Sequence, residues 1–402
     1  MAEIKPEIET FAKIKVVGVG GGGGSAINRM IENGIRGVDF VAINTDIQAL
    51  HYNKASEKIH IGKSVTRGLG AGMNPDLGKG AAEESQNEIR EALKGCDMVF
   101  VTCGLGGGTG SGASPIVAQV ARDLGALTVA VVTKPFIFEG GQRKNIADRA
   151  FADLADKVDT IITISNDKLL QVIDKRTSLL EAFAIADDVL RQGVQGIAEI
   201  ITVPGVINAD FADVKAVMAN AGSALMGIGQ ASGENKAIEA AKGAINSNLL
   251  DMSIDGARGI VFTITGGPDL SMNEVSDAAK VITSAADEDA KIIFGAVIDE
   301  KMKDQIKITV VATGFDGKSK SGSKTELKSY TPNPFIESEN EKESSVGAAL
   351  WGDKKAKVPT IKNIPLKPLV EKKQDIVENK ESITDEEDDL SVPAFIRKKM
   401  GN

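Results

Sequence analysis

The sequence predicts an α/β fold: a Rossmann-like, mostly parallel sheet covered on both faces, a long central helix, and a second α/β unit. Three observations carry this. Short apolar runs at 14–19, 40–43, 98–102, 128–132 and 160–164 alternate with helical stretches, as strands joined by helical crossovers do. Two glycine clusters, at 18–25 and 103–112, each follow such a run. Between Ser178 and Thr202, residues Leu179, Leu180, Phe183, Val189, Leu190, Val194, Ile197 and Ile201 recur at helical spacing.

Composition bounds the rest. Hydrophobic residues make up 42% of the 402 positions, enough for a sizeable core, while aromatics are only 4%, too few for widespread base stacking. A net charge of −9 argues against a general nucleic-acid binder. Cys96 and Cys103 with His51 and His60 do not make a zinc set, and the cysteines read as small core hydrophobes. No apolar run approaches a membrane span and no signal peptide is visible, so a cytoplasmic protein is expected.

Residues 1–12 read as a polar arm and 13–177 as a nucleotide-type domain. The carboxyl ends of its five predicted strands carry residues 20–24, Asn44-Thr45-Asp46, 104–112, 133–139 and Asn166-Asp167. Ligands of such sheets bind outside those ends, so all five are expected to line one crevice. The first cluster, Gly18-Val-Gly20-Gly21-Gly22-Gly23-Gly24-Ser25, matches GxGxxG, and Asp46 ends the next strand. That is the dinucleotide fingerprint, and it keeps an NAD-dependent oxidoreductase open as an alternative. The second cluster, CGLGGGTGSG, has glycine at six of ten positions. It precedes Ser114-Pro115 and is read as a loop before a Pro-started helix, with backbone N–H groups free to converge on an anion. Two such clusters suit a polyphosphate held from two sides. A P-loop is excluded, because Gly62-Lys63-Ser64 has Glu57 where its first glycine belongs.

The long helix, assigned to 178–203, is expected to be buried between two halves, with Pro204-Gly205 ending it. Asp187 follows Phe183 by one helical turn, setting a carboxylate and a stacking ring on one face. An Asp carboxylate can accept from guanine N1–H and its amino group, with Asn166 as a further contact. From spacing alone the plainer reading is a solvated helix face. Residues 204–221 hold Asn208-Ala-Asp210-Phe-Ala-Asp213, whose acids three apart can orient a water. Spacing alone favours helix capping there too. Residues 222–315 form the second α/β unit, with strands near 259–265, 292–297 and 306–312. After Phe315 periodicity vanishes. Residues 316–385, which include Trp351, read as a disordered linker. Residues 386–402 read as a docking peptide, with an acidic run, an apolar group around Phe395 and Ile396, and basic Arg397-Lys398-Lys399.

At GGGTGSG the match becomes specific. With Asn208-Ala-Asp210-Phe-Ala-Asp213, GLGAG at 68–72, FEGGQR at 138–143, SND at 165–167 and the terminal block, the chain resembles the FtsZ family, bacterial tubulin-like cell-division GTPases. The resemblance covers about 13–315 and the terminal block. It implies a tubulin-like fold and a GTPase that forms filaments of the division ring at midcell. In its terms Gly21, Gly22, Gly23, Gly24, Ser25, Gly104, Gly107, Gly108, Thr109 and Gly110 hold phosphates, with Ala71 and Gly72 near the γ-phosphate. Glu139 and Arg143 hold the ribose and phosphate side, and Asn166, Phe183 and Asp187 hold guanine. Asn208, Asp210 and Asp213 complete the site of the next subunit, with Mg²⁺ held mainly by the phosphates and no protein metal site. The resemblance thus reverses the plainer readings of Asp187, Asp210 and Asp213. Its partners are the chain itself and, through 386–402, membrane-tethering and regulatory division proteins. The chain departs from the family at Gly24-Ser25, where asparagine is usual, and at Cys103, Leu105 and Ser111. A non-hydrolysing, GTP-regulated scaffold remains the other alternative.

Overall fold

In the computed structural model, the structure describes residues 12–315 apart from 173–175, 204, 248–252 and 301. The linker, the terminal peptide, most of the N-terminal arm and Pro204 therefore lie outside the described residues.

Strands β1 (Ile14–Val19), β2 (Asp39–Asn44), β3 (Glu57–His60), β4 (Met98–Gly104), β5 (Leu127–Lys134) and β6 (Thr160–Ser165) belong to the first half. The second half supplies β7 (Gly222–Ser232), β8 (Gly259–Gly266), β9 (Lys291–Ile298) and β10 (Gln305–Thr313). All ten form one sheet in the order β3-β2-β1-β4-β5-β6-β7-β10-β8-β9. From β3 to β7 every pairing is parallel, β10 runs antiparallel to both β7 and β8, and β9 is parallel to β8. The two expected units are thus halves of a continuous sheet, joined where Thr160 pairs with Gly222. Between β1 and β4 the strand order reverses, which creates a crevice beyond their carboxyl ends.

Helices α1 (Gly20–Glu32), α2 (Ile47–Tyr52), α3 (Lys63–Thr66), α4 (Pro75–Glu84), α5 (Gln86–Leu93), α6 (Thr109–Asp123), α7 (Gly141–Ala155) and α8 (Asn166–Val172) connect the first strands. Next come α9 (Leu179–Thr202), α10 (Phe211–Met218), α11 (Lys236–Ile245) and α12 (Met272–Thr283). The start of α9 is set by a capping box: Ser178 Oγ accepts from the Glu181 N–H, and the Glu181 carboxylate accepts from the Ser178 N–H. Val189, Leu190, Val194, Ile197, Ala198 and Ile200 of α9 are buried in one core with residues of both sheet halves, from Val16 to Val311. At about 1.5–3 kcal/mol for a fully buried large aliphatic side chain, that shared face welds the halves together. On the opposite face of the first half, α4–α7 cover a second core; α11 and α12 cover the third. Cys96 and Cys103 are buried, as small hydrophobes.

Two strands go unforeseen in the sequence. β3 is a short edge strand of mostly polar residues. β7 is rich in Gly, Ala and Ser because α11 lies directly on it. A Cβ at Gly227 would stand 1.9 Å from the Ala244 carbonyl oxygen, and one at Gly229 2.0 Å from that of Ala240. One boundary is corrected as well. α6 does not start at Pro115 but at Thr109, so the second glycine cluster ends inside its first turn. The small residues serve contact with α4, since a Cβ at Gly112 would lie 1.9 Å from the Pro75 carbonyl oxygen.

Candidate functional site

A cavity of about 330 Å³ opens beyond the carboxyl ends of β1, β4, β5 and β6. Gly21 and Gly22 form one wall; Gly104, Gly107, Gly108, Thr109 and Gly110 form the floor. Ala71, Glu139, Arg143 and Asn166 line it further, and α9 closes it with Phe183, Ala186, Asp187 and Leu190. Four of the five strand ends expected to meet there do so.

The exception is the end of β2, a correction to the single five-sided crevice. Asp46 caps α2, its Oδ1 accepting from the Gln48 and Ala49 N–H groups at 2.8 and 3.1 Å. Asp46 is absent from the cavity lining. The dinucleotide fingerprint is thereby left without its ribose-binding acid. Thr45 contributes indirectly: its hydroxyl lies 2.7 Å from that of Thr109.

Two helices begin at this cavity without a side-chain cap: α1, after Val19, and α6, after Gly108. Their first N–H groups lack intrahelical partners and carry the positive end of the helix dipole. Gly21 and Gly107 line the same space, and a Cβ at either would meet no protein atom. Protein packing therefore does not demand glycine there, whereas a bound group approaching the backbone would. Ser111 Oγ accepts from the Gly106 N–H at 2.9 Å and holds the loop in shape. The floor is built to receive an anion.

The other end of the cavity is built for donors. Asn166 is buried and its Oδ1 has no partner among the described residues. Asp187 makes no hydrogen bond or ion pair among the described residues, and burial pushes its carboxyl up to about 6 against the opposing pull of the Arg29 guanidinium. A buried acceptor and a desolvated carboxylate both gain from a ligand that donates hydrogen bonds. Phe183, 41% exposed, meets Phe136 edge-on at 5.5 Å and offers a ring surface beside them. Glu139 is held ready: one carboxylate oxygen accepts from the Phe136 N–H at 2.9 Å and the other from Arg143 at 2.6 Å.

Not every expected ligand residue faces this space. Gly23 packs against the Thr102 carbonyl of β4. Gly24 and Ser25 line an adjoining cavity of about 280 Å³ with Asn28, Asn44 and Asn53. Gly72 lies just beyond Ala71 with φ +56° and does not line the cavity. Besides Thr133 and Pro135, which belong to the 133–139 stretch expected there, the cavity is lined by two residues not expected as ligand contacts, Ala186 and Leu190. The signal for these two was available, because they follow Phe183 on the same helical face.

Asn208, Asp210 and Asp213 are far from the cavity. From Phe183 to Thr202, α9 rises about 28 Å, and all three residues come after its end. Asn208 Oδ1 accepts from the Gly205 N–H at 2.6 Å, and Ile207 bridges to Ala296 of β9. Asp210 caps α10, its Oδ1 accepting from the Ala212 N–H at 3.2 Å. Asp213 stands exposed in the first turn, its carboxylate making no hydrogen bond or ion pair among the described residues. The last residue of α10, Met218, meets Thr160 at the first residue of β6, whereas Asn166 follows the last. The C-terminal end of α10 and the cavity therefore lie at opposite ends of β6.

Residues 13–174 match the tubulin/FtsZ family GTPase domain, and residues 222–316 match the FtsZ family C-terminal domain. The chain is 48% identical to an FtsZ of M. jannaschii solved as an empty dimer, over 77% of this chain and 90% of that one, with a TM-score of 0.74. It is 23% identical to CetZ2 of Haloferax volcanii, solved as a GTPγS-bound protofilament, over 77% of this chain and 96% of that one, with a TM-score of 0.65. The second likeness is one of fold. Among the described residues no helix is long and apolar enough to cross a membrane.

Proposed function

The chain belongs to the FtsZ family, and from that premise we propose that it is a self-assembling GTPase whose filaments build a division ring, each GTP being hydrolysed between two subunits. The phosphates rest on the uncapped N-termini of α1 and α6. Guanine presents N1–H and its amino group to Asp187 and the Asn166 Oδ1 side, against Phe183. Glu139 and Arg143 hold the ribose side. Mg²⁺ held mainly by the phosphates would offset phosphate charge.

The observation that supports a shared site is the placement of the acids beyond the far end of α9. They cannot reach the nucleotide of their own chain, so an acid that acts on GTP acts on a neighbour's. Asp213 is the acid whose carboxylate is open to a water; Asp210 shapes the helix that presents it. The water attacks the γ-phosphorus, the bond from that phosphorus to the β–γ bridging oxygen breaks, and orthophosphate leaves GDP behind. Positioning and electrostatics do most of this work. Head-to-tail repetition of such a contact, where rotation does not close a ring, makes a filament. The M. jannaschii relative solved as a dimer is consistent with self-association. Residues 386–402 would then dock membrane-tethering and regulatory division proteins at midcell.

Turnover per subunit tests this reading. It should rise steeply above a threshold protein concentration; a rate per subunit that is flat from dilute to concentrated protein contradicts it. Absence of phosphate release at every concentration would instead favour the GTP-regulated scaffold.

A further inference from the structure

We propose that Thr160 and Thr313 are positioning residues for the acid-bearing helix α10, their hydroxyls fixing its last carbonyls to both halves of the sheet. The inference rests on reading Asp213 as the acid that serves a neighbouring subunit.

The last carbonyls of a helix have no intrahelical donor. In α10 two of them are met by side chains from different strands. Thr160 Oγ1, on the first residue of β6, donates to the Met218 carbonyl at 2.5 Å. Thr313 Oγ1, on the last residue of β10, lies 3.3 Å from the Val217 carbonyl and 3.2 Å from that of Gly259. Both threonines are buried, as are Val214, Val217 and Met218.

The turn that follows is held as firmly. Asn220 has φ +51°. Its N–H donates to Asp159 Oδ1 at 3.3 Å, and its side-chain oxygen accepts from Arg122 at 2.6 Å. Asp159 Oδ2 meanwhile accepts from the Thr128 N–H of β5 at 2.9 Å. At its other end the acid segment is pinned where Val206 and Ile207 donate to the Ala296 carbonyl of β9 at 3.0 and 3.3 Å. Asp213 therefore sits on a short, exposed stretch between two clamps, and its own carboxylate contributes nothing to holding it there. Its aim is set by the clamps. Removing a buried hydroxyl leaves a carbonyl without a donor and lets the helix settle elsewhere, and small misplacements of a reacting group cost rate steeply.

The test is made on the full chain with T160V, T160S, T313V and D213N. The readouts are GTP turnover at saturating nucleotide, GDP affinity, sedimented polymer and thermal midpoint. T160V should lower kcat about tenfold or more with nucleotide affinity and polymer mass unchanged, and T160S should restore kcat to within about twofold. T313V should act in the same direction, and it carries the test if T160V does not fold. The proposal is overturned if folded T160V and T313V both keep full kcat, if kcat falls only together with nucleotide affinity, or if T160S fails to rescue. D213N separates the two levels. Full turnover in D213N defeats the reading of α10 as the acid donor, whereas lost turnover in D213N with normal T160V and T313V defeats only the positioning inference.

Discussion

The two ends of the central helix differ in what they hold back. At its start, α9 closes a cavity whose polar groups are unmet among the described residues: the buried Asn166 oxygen, the half-buried Asp187 carboxyl, and the N–H groups of two helices without side-chain caps. Beyond its end, Asn208 and Asp210 already have backbone partners, and Asp213 is exposed to solvent. The first end needs a ligand to satisfy it. The second is complete as folded and needs a surface to act on. On the proposed function, binding and turnover belong to different faces of the chain.

Breaking the second end should give the largest effect. Asp213→Ala should lower GTP turnover at least about a hundredfold while leaving GDP affinity within about twofold; lost affinity would mean that the two ends are not separate. At the first end the effects of one substitution should oppose each other. Asp187→Asn should cut guanine-nucleotide affinity about a hundredfold and yet raise the stability of the ligand-free fold by about 1–2 kcal/mol at neutral pH. The sign follows from its titration. The native carboxyl is pushed up to about 6 from an ordinary value of 3.8, so the unfolded chain ionises first and stability falls as pH rises through that window. Nucleotide that needs the ionised carboxylate should for the same reason bind more weakly as pH drops below about 6, and affinity in Asp187→Asn should lose that dependence. Calorimetric titration of GDP between pH 5 and 8 reads both. The smallest effect is expected at Asp210→Ala, which removes a cap worth about 1 kcal/mol; a thermal midpoint unchanged from the parent chain would show that the cap contributes nothing.

How much of this was legible in the sequence follows the same division. The crevice was readable because glycine-rich chain at a strand end has few structural uses, and the apolar runs before it are buried strands. What lay hidden was packing. β7 does not look like a strand because α11 lies on its glycines, and Pro115 looked like a helix start because the glycines that enter α6 early do so to meet α4. Asp46 fitted a nucleotide fingerprint by spacing, but spacing does not tell which way a carboxylate turns, and it turns onto its own helix. Capping and the proposed function likewise share the segment at 208–213. Spacing favoured capping, and Asp210 does cap; only the fold separates it from Asp213, three residues on, whose carboxylate makes no hydrogen bond or ion pair among the described residues.

Mixing two inactive chains tests the division of labour most directly. On the proposed function, Asp187→Ala loses nucleotide binding but keeps its acids, and Asp213→Ala keeps nucleotide binding but loses the acid. If each GTP is consumed by the next subunit, an equimolar mixture should hydrolyse GTP well above the sum of the two chains measured alone. A mixture no more active than that sum would contradict a site shared between subunits.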